Sequence, residues 1–212
     1  MRPHHLPACL DGGARVNGAA AELLPGTYYD GALKCQAIRL LPADYVASAQ
    51  PVAVVTLLGS CVAACLYDPA MAVGGMNHFM LPGGEGGGDT SARYGAHAME
   101  LLINDLLKLG ARRQRLQAKV FGGGNVLSGF HSAPIGTRNA QFVLEYLAAE
   151  RIPVLAQDLG DVHPRKVGFF VQTGRTLVKR LPSTRETGIV DAERALYGRL
   201  AKAPAAGSVE LF

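Results

Sequence analysis

The run "VAVVTLL" at residues 52–58 constrains this chain most. It is apolar throughout, rich in β-branched residues, of strand length, and it stops at Gly59-Ser60, as a buried strand does before a tight turn. Cys61 is the first residue past that turn. Residues 62–67, "VAACLY", either continue as a strand or open a short helix, and periodicity does not decide between them; Asp68-Pro69 closes the segment either way. After Gly74-Gly75, residues 76–81, "MNHFML", read as another strand that carries His78, seventeen positions after Cys61. Apolar runs this short fall well below the ~20 residues needed to span a bilayer. With 212 residues, 49% of them apolar and 18% charged, the chain has the material for one domain with a substantial core.

Around this centre the expected organisation is a leader at 1–26, a domain at 27–182 and a tail at 183–212 holding a weak amphipathic stretch at 190–202. The leader has Arg2, His4, His5 and Asp11 but no continuous apolar region, so a secretory signal is not expected and a cytoplasmic location is. In that compartment Cys9, Cys35, Cys61 and Cys65 are expected as free thiols. Helices are expected from a cap at 89–91 to Gly110, and from a Thr137 cap to about Glu150, burying Ala140, Val143, Leu144 and Leu147. Strands are expected at 117–121, 152–158, 166–172 and 176–180, and the glycine-rich loop at 83–88 is free to act as a lid. Strands mixed with two long helices predict an α+β or layered α/β domain with mixed β-sheets. The formal charge of +4 is a mild excess whose one knot, Arg112, Arg113 and Arg115, reads as a solvated helix end, so neither nucleic-acid binding nor membrane insertion is expected.

Cysteine is among the most buried residue types, and both Cys61 and Cys65 fit a core reading, Cys65 better because no turn adjoins it. Cys61 differs in following a Gly-Ser turn, whose exposed N–H groups, at Ser60 and Cys61, lower a thiol pKa below ~8.5 and can later hold an oxyanion. A buried neutral imidazole at His78 needs a partner, and a nearby thiol would serve. Cysteine with histidine is the minimal set for nucleophilic acyl transfer. The competing use is zinc on Cys61, Cys65 and His78, but the chain lacks a CxxC or HExxH motif that would complete the set. Neither glycine cluster, 83–88 or 122–124, is followed by Lys-Ser or Lys-Thr, so no phosphate loop is present.

The strings "LLGSCVAACLYDP…GGMNHFMLP", "LGARRQRLQAKVFGGGNVL", "IGTRNAQFVLEYLAAERIPVLAQDLG" and "RKVGFFVQTGRTLVK", in this order from about 53 to 181, resemble the CheD family of chemoreceptor glutamine deamidases. The resemblance implies a cytosolic, cofactor-free enzyme of cysteine-hydrolase fold that turns receptor glutamines into glutamates in bacterial chemotaxis. Cys61 falls on the family's nucleophile and His78 on its base. The family's threonine lies six positions before the cysteine, where this chain has Val55; Thr56 is one place later and would replace it only if a bulge or irregular turn rotated its hydroxyl inward. The family also carries a second glycine after Asp-Leu-Gly, where this chain has Asp161. The expected partners are methyl-accepting chemotaxis receptors and a CheC-type phosphatase, with no metal. The rival reading is a binding module that docks to receptors or to that phosphatase, its site weakened by the displaced threonine.

Overall fold

The computed structural model describes residues 24–81, 88–125, 135–182 and 188–202. In chain order they form β1 (Thr27–Asp30), β2 (Cys35–Arg39), β3 (Tyr45–Ser48), β4 (Ala53–Leu58), β5 (Val62–Asp68), β6 (Val73–Asn77), α1 (Gly88–Lys108), β7 (Gln117–Gly122), α2 (Ile135–Ala149), β8 (Val154–Leu159), β9 (Arg165–Phe170), β10 (Thr176–Arg180) and α3 (Ile189–Lys202). Two five-stranded mixed sheets result, one ordered β1-β2-β4-β9-β10 and the other β3-β6-β5-β7-β8. Side-chain alternation along β5 sets the layers. Ala63 and Cys65 face a core shared with Val54, Leu58, Val167 and Phe169 of the first sheet. Val62, Ala64 and Leu66 face Met99, Leu102, Leu106 and Val143 of α1 and α2. The architecture is therefore helices on a sheet on a sheet, which is the layered arrangement expected. Among the described residues no helix is long and apolar enough to cross a membrane.

Residues 62–67 settle as strand because β5 is central in its sheet, paired with β6 and β7, and buried on both faces. Several boundaries differ from expectation. The strand expected at 76–81 is β6, which starts at Val73 and ends at Asn77, since the N–H of Ala64 goes to the Asn77 side chain (3.0 Å) and interrupts the ladder before a last bridge at Phe79. Thr137 is not a cap: α2 already runs at Ile135, and Ile135, Gly136, Asn139, Val143 and Leu147 form its buried stripe, leaving Ala140 and Leu144 half-buried. A third helix, α3, occupies the tail, and its Leu196 is buried in the core between the sheets. The arginine knot is not a solvated helix end either. Arg113–Arg115 form a 3-10 turn in which Arg115 grips the buried Asp68 carboxylate at 2.7 Å and Arg113 pairs with Glu150 and Glu100, tying β5, α1 and α2 together. The loop expected to act as a lid, apart from Gly88 at the start of α1, and most of the leader lie outside the described residues.

Candidate active site

The chain passes from one sheet to the other between Leu58 and Val62, because β4 and β5 belong to different sheets. The N–H groups of Gly59, Ser60 and Cys61 are thereby left outside both ladders and free for other acceptors. A second turn braces this crossing. Gly123 donates to the Cys61 carbonyl at 2.7 Å and Gly124 to the Gly59 carbonyl at 2.8 Å. Gly122 sits at φ +105°, and a Cβ there would lie 2.2 Å from the Cys61 carbonyl oxygen, so the "FGGGN" string serves close backbone approach. Its neighbour is the turn at Gly160 and Asp161: Gly160 donates to Gly122 and the Asp161 carbonyl accepts from Asn125. Asp161 has φ +67°, the left-handed region that glycine takes at least cost, which suits the second glycine that the resemblance implies at this position.

His78 follows β6 and continues its alternation, so its ring points between the sheets with Met76 and Met80 while Asn77 points to α1. The main chain of His78 is clamped by Asp44, which accepts its N–H at 2.9 Å, and by Ala43, which donates to its carbonyl at 2.8 Å. Thr56 reaches the same space from β4 and lies 2.8 Å from His78 Nδ1. The expected condition of a bulge is not met and not needed. β4 pairs with β9 in unbroken register from Ala53 with Phe170 to Leu58 with Arg165. In that register Val54, Thr56 and Leu58 share the inner face, while Val55 joins a separate cluster with Cys35, Ala37 and Ala53. The hydroxyl is inside by simple strand parity, and Val55 is outside.

This contact fixes the imidazole's tautomer. The single hydroxyl proton of Thr56 is donated to the Leu40 carbonyl at 2.9 Å, so at His78 the hydroxyl must accept, and Nδ1 carries the proton. Nε2 is then an unprotonated acceptor, and it has no hydrogen-bond partner among the described residues. A ring nitrogen of His78, Cys61 Sγ and a carboxylate oxygen of Glu193 lie within 4.8 Å of one another. Burial pushes the His78 pKa down to about 4, with the Glu193 carboxylate opposing, so the ring is neutral.

Glu193, from α3, is the residue that sequence reasoning missed. Its carboxylate accepts from Gly59 N–H (2.8 Å), Ser60 N–H (2.6 Å), Ser60 Oγ (2.7 Å) and Cys61 N–H (3.0 Å). The expectation of a lowered thiol pKa is overturned. Burial first, and then the Glu193 charge and its hydrogen bond, push the Cys61 thiol well above its ordinary value. Cys61 is fully buried in this state. Asn139 was missed as well: its side chain accepts from Leu81 N–H at 2.9 Å and donates to the Ser60 carbonyl at 2.8 Å. Both left a trace in the sequence, as a polar residue on an apolar helical stripe. Cys65 stands apart, buried in the core and outside the Cys61, His78 and Glu193 group, so the zinc set Cys61, Cys65 and His78 is not assembled. The group that is assembled faces N–H donors, which favour an anion over a cation. None of Cys35, Cys61 and Cys65 is in a disulfide.

A curated protein of Stenotrophomonas maltophilia (strain R551-3) is 56% identical over 185 residues, covering 87% of this chain and 93% of its own. One of Xanthomonas campestris pv. campestris (strain B100) is 57% identical over the same shares. One of Thiobacillus denitrificans is 53% identical over 204 residues, covering 93% of this chain and all of its own. The chain belongs to the CheD family. Each of these relatives is named "probable chemoreceptor glutamine deamidase CheD". The family profile, described as CheD chemotactic sensory transduction, matches residues 80–180. It begins just past His78, so the candidate residues lie in the part covered by the relatives. A solved structure, the hypothetical protein YfiH of Bacillus licheniformis, gives a weak likeness with a TM-score of 0.36 and 13% identity over 54% of this chain and 49% of its own.

Proposed function

We infer that this chain is a protein-glutamine deamidase acting on chemoreceptors, with Cys61 as nucleophile, His78 as base and Thr56 as the group that orients the imidazole. The observation that carries this reading is the tautomer: a neutral ring with Nδ1–H held by Thr56 and a bare Nε2 beside a thiol. His78 Nε2 takes the Cys61 proton, and the thiolate attacks the carboxamide carbon of a receptor glutamine. The oxyanion that forms is held by the N–H groups of Ser60 and Cys61, with Gly59 as a third donor. The imidazolium gives its proton to the departing ammonia, and water hydrolyses the thioester to leave glutamate. The relatives' shared name and their coverage of nearly the whole chain support the substrate class. All of the chemistry is supplied by side chains and backbone of the chain itself, in the cytoplasm where receptor helices are exposed. A CheC-type phosphatase is the regulatory partner this family reading carries with it.

The rival reading, a docking module with an impaired site, needed a missing hydroxyl, and Thr56 provides one. Mass spectrometry of a receptor fragment incubated with the protein tests the assignment. The wild type should add about one mass unit per modified glutamine, and the Cys61→Ala variant should add none. Equal conversion by both would overturn the mechanism.

A further inference from the structure

A helix that packs on a core presents apolar residues at positions i, i+3, i+4 and i+7. On α3 these positions are 193, 196, 197 and 200. Leu196 is 3% exposed within the core between the sheets, and Tyr197 and Leu200 pack against the same core. Asp191, Arg194, Ala195 and Arg199 face solvent. The first seam position is Glu193, 1% exposed. A carboxylate buried on an apolar seam is costly unless it is matched, and a structural one is ordinarily matched by a cation. Among the described residues no Lys or Arg pairs with Glu193. Its match is instead the donors of Gly59, Ser60 and Cys61, the groups assigned above to the reaction's oxyanion.

The chemistry of that contact is specific. A glutamate side chain on a helix, its carboxylate on the oxyanion donors and beside the nucleophilic sulfur, is what the deamidation reaction leaves behind. We propose that α3 is an internal product mimic, that the groove beneath it is the docking groove for a substrate helix, and that a glutamine-bearing helix must displace α3 to be modified. The proposal rests on the deamidase reading and extends it to substrate recognition and self-occlusion. It specifies the partner: an amphipathic helix with its glutamine at the position of Glu193 and apolar residues three, four and seven places further on. A tethered competitor acts at an effective concentration of the order of millimolar, so α3 raises the apparent KM for such a helix without touching the chemical step. Burial first, and then the charge and hydrogen bond of Glu193, hold the proton on the occluded Cys61 sulfur.

The sharpest test changes the mimic into a substrate. In full-length Glu193→Gln the carboxamide carbon lies against Cys61. The thiolate adds to it, ammonia leaves with the proton held by His78, and water hydrolyses the thioester, for a net exchange of carboxamide and water for carboxylate and ammonia. Peptide mapping should show position 193 gaining about one mass unit, while the Cys61→Ala, Glu193→Gln double variant keeps its amide and so controls for spontaneous deamidation. In Glu193→Ala, iodoacetamide should label Cys61 at least tenfold faster than in the wild type, and KM for a receptor fragment should fall at least tenfold with kcat little changed. An intact amide at position 193 in a protein that modifies receptors overturns the product mimic and leaves the deamidase reading standing. Unchanged labelling and KM in Glu193→Ala, or a slower enzyme, overturns the occlusion and makes Glu193 a structural brace. Loss of conversion at both position 193 and the receptor overturns the two readings together.

Discussion

At the scale of single residues, the site rests on which way three side chains point. Thr56 and Val55 are neighbours on one strand, and only the first faces His78. Thr56→Val should therefore lower the deamidation rate by about 10², the size of a general-base contribution, while Val55→Thr should change little; a comparison of initial rates decides it, and the opposite order would mean that the imidazole is oriented by another group. His78→Ala should be nearly as damaging as loss of the nucleophile, whereas Cys65→Ala, which trims a buried side chain outside the site, should keep most activity and lose only a little stability. Equal loss at both cysteines would point to a metal or disulfide role. Cys61 and His78 were legible in the sequence because a turn and an apolar run make a thiol and an imidazole conspicuous. The inward turn of Thr56 was legible only as a choice, since a count from the cysteine fixes position and not strand parity. The raised pKa of the Cys61 thiol was not legible at all, because it comes first from burial between two sheets and then from a carboxylate 132 positions away.

At the scale of elements, the crossing from β4 to β5 is held open by neighbours, and each has its own cost of removal. Asn139, on α2, fixes the Ser60 carbonyl, and since a peptide is planar this also fixes the direction of the Cys61 N–H on its other side. Asn139→Ala should lower kcat about tenfold with KM for a receptor fragment nearly unchanged, because a misaimed donor weakens the transition state more than the bound substrate. A rise in KM alone would make Asn139 a packing residue only. Gly122→Ala should be worse, because the methyl group meets the Cys61 carbonyl and the backbone is left-handed; thermal melting should show a loss of a few kcal/mol. The strands and helices themselves were largely legible from apolar runs and caps, yet β6 began three residues early and α2 two residues early. In both places the deciding contact is tertiary: β3 pairs along β6 from Ser48 with Gly74 to Tyr45 with Asn77, and Gly136 packs on the backbone of Gly123 and Gly124. The tail helix was visible as a weak amphipathic stretch, but its seam could be completed only by a groove that the rest of the fold creates.

For the whole molecule, the buried titrating groups set a pH window of stability. His78 has its folded pKa lowered to about 4 from 6.5, so as pH falls below 6.5 the unfolded chain takes up the proton first and stability declines until pH reaches about 4. At about 1.4 kcal/mol for each pH unit, that decline is on the order of 3 kcal/mol. Asp68, lowered from 3.8 to about 2 by Arg115, adds a further loss below pH 3.8, where the unfolded carboxylate protonates before the folded one. On the alkaline side the sign reverses. Burial raises the pKa of both Cys61 and Cys65 above 9.0, so the stability they contribute is complete below that value and is lost as the unfolded thiols ionise above it. Urea unfolding followed from pH 4 to 10 should give a plateau between about 6.5 and 9 with a shoulder falling away on each side. His78→Gln, which cannot titrate, should flatten the upper acid limb between 6.5 and 4 and leave the alkaline limb in place. If the acid limb of the variant runs parallel to that of the wild type, His78 is not buried neutral in the folded protein, and the bare Nε2 on which the proposed chemistry depends would have to be given up.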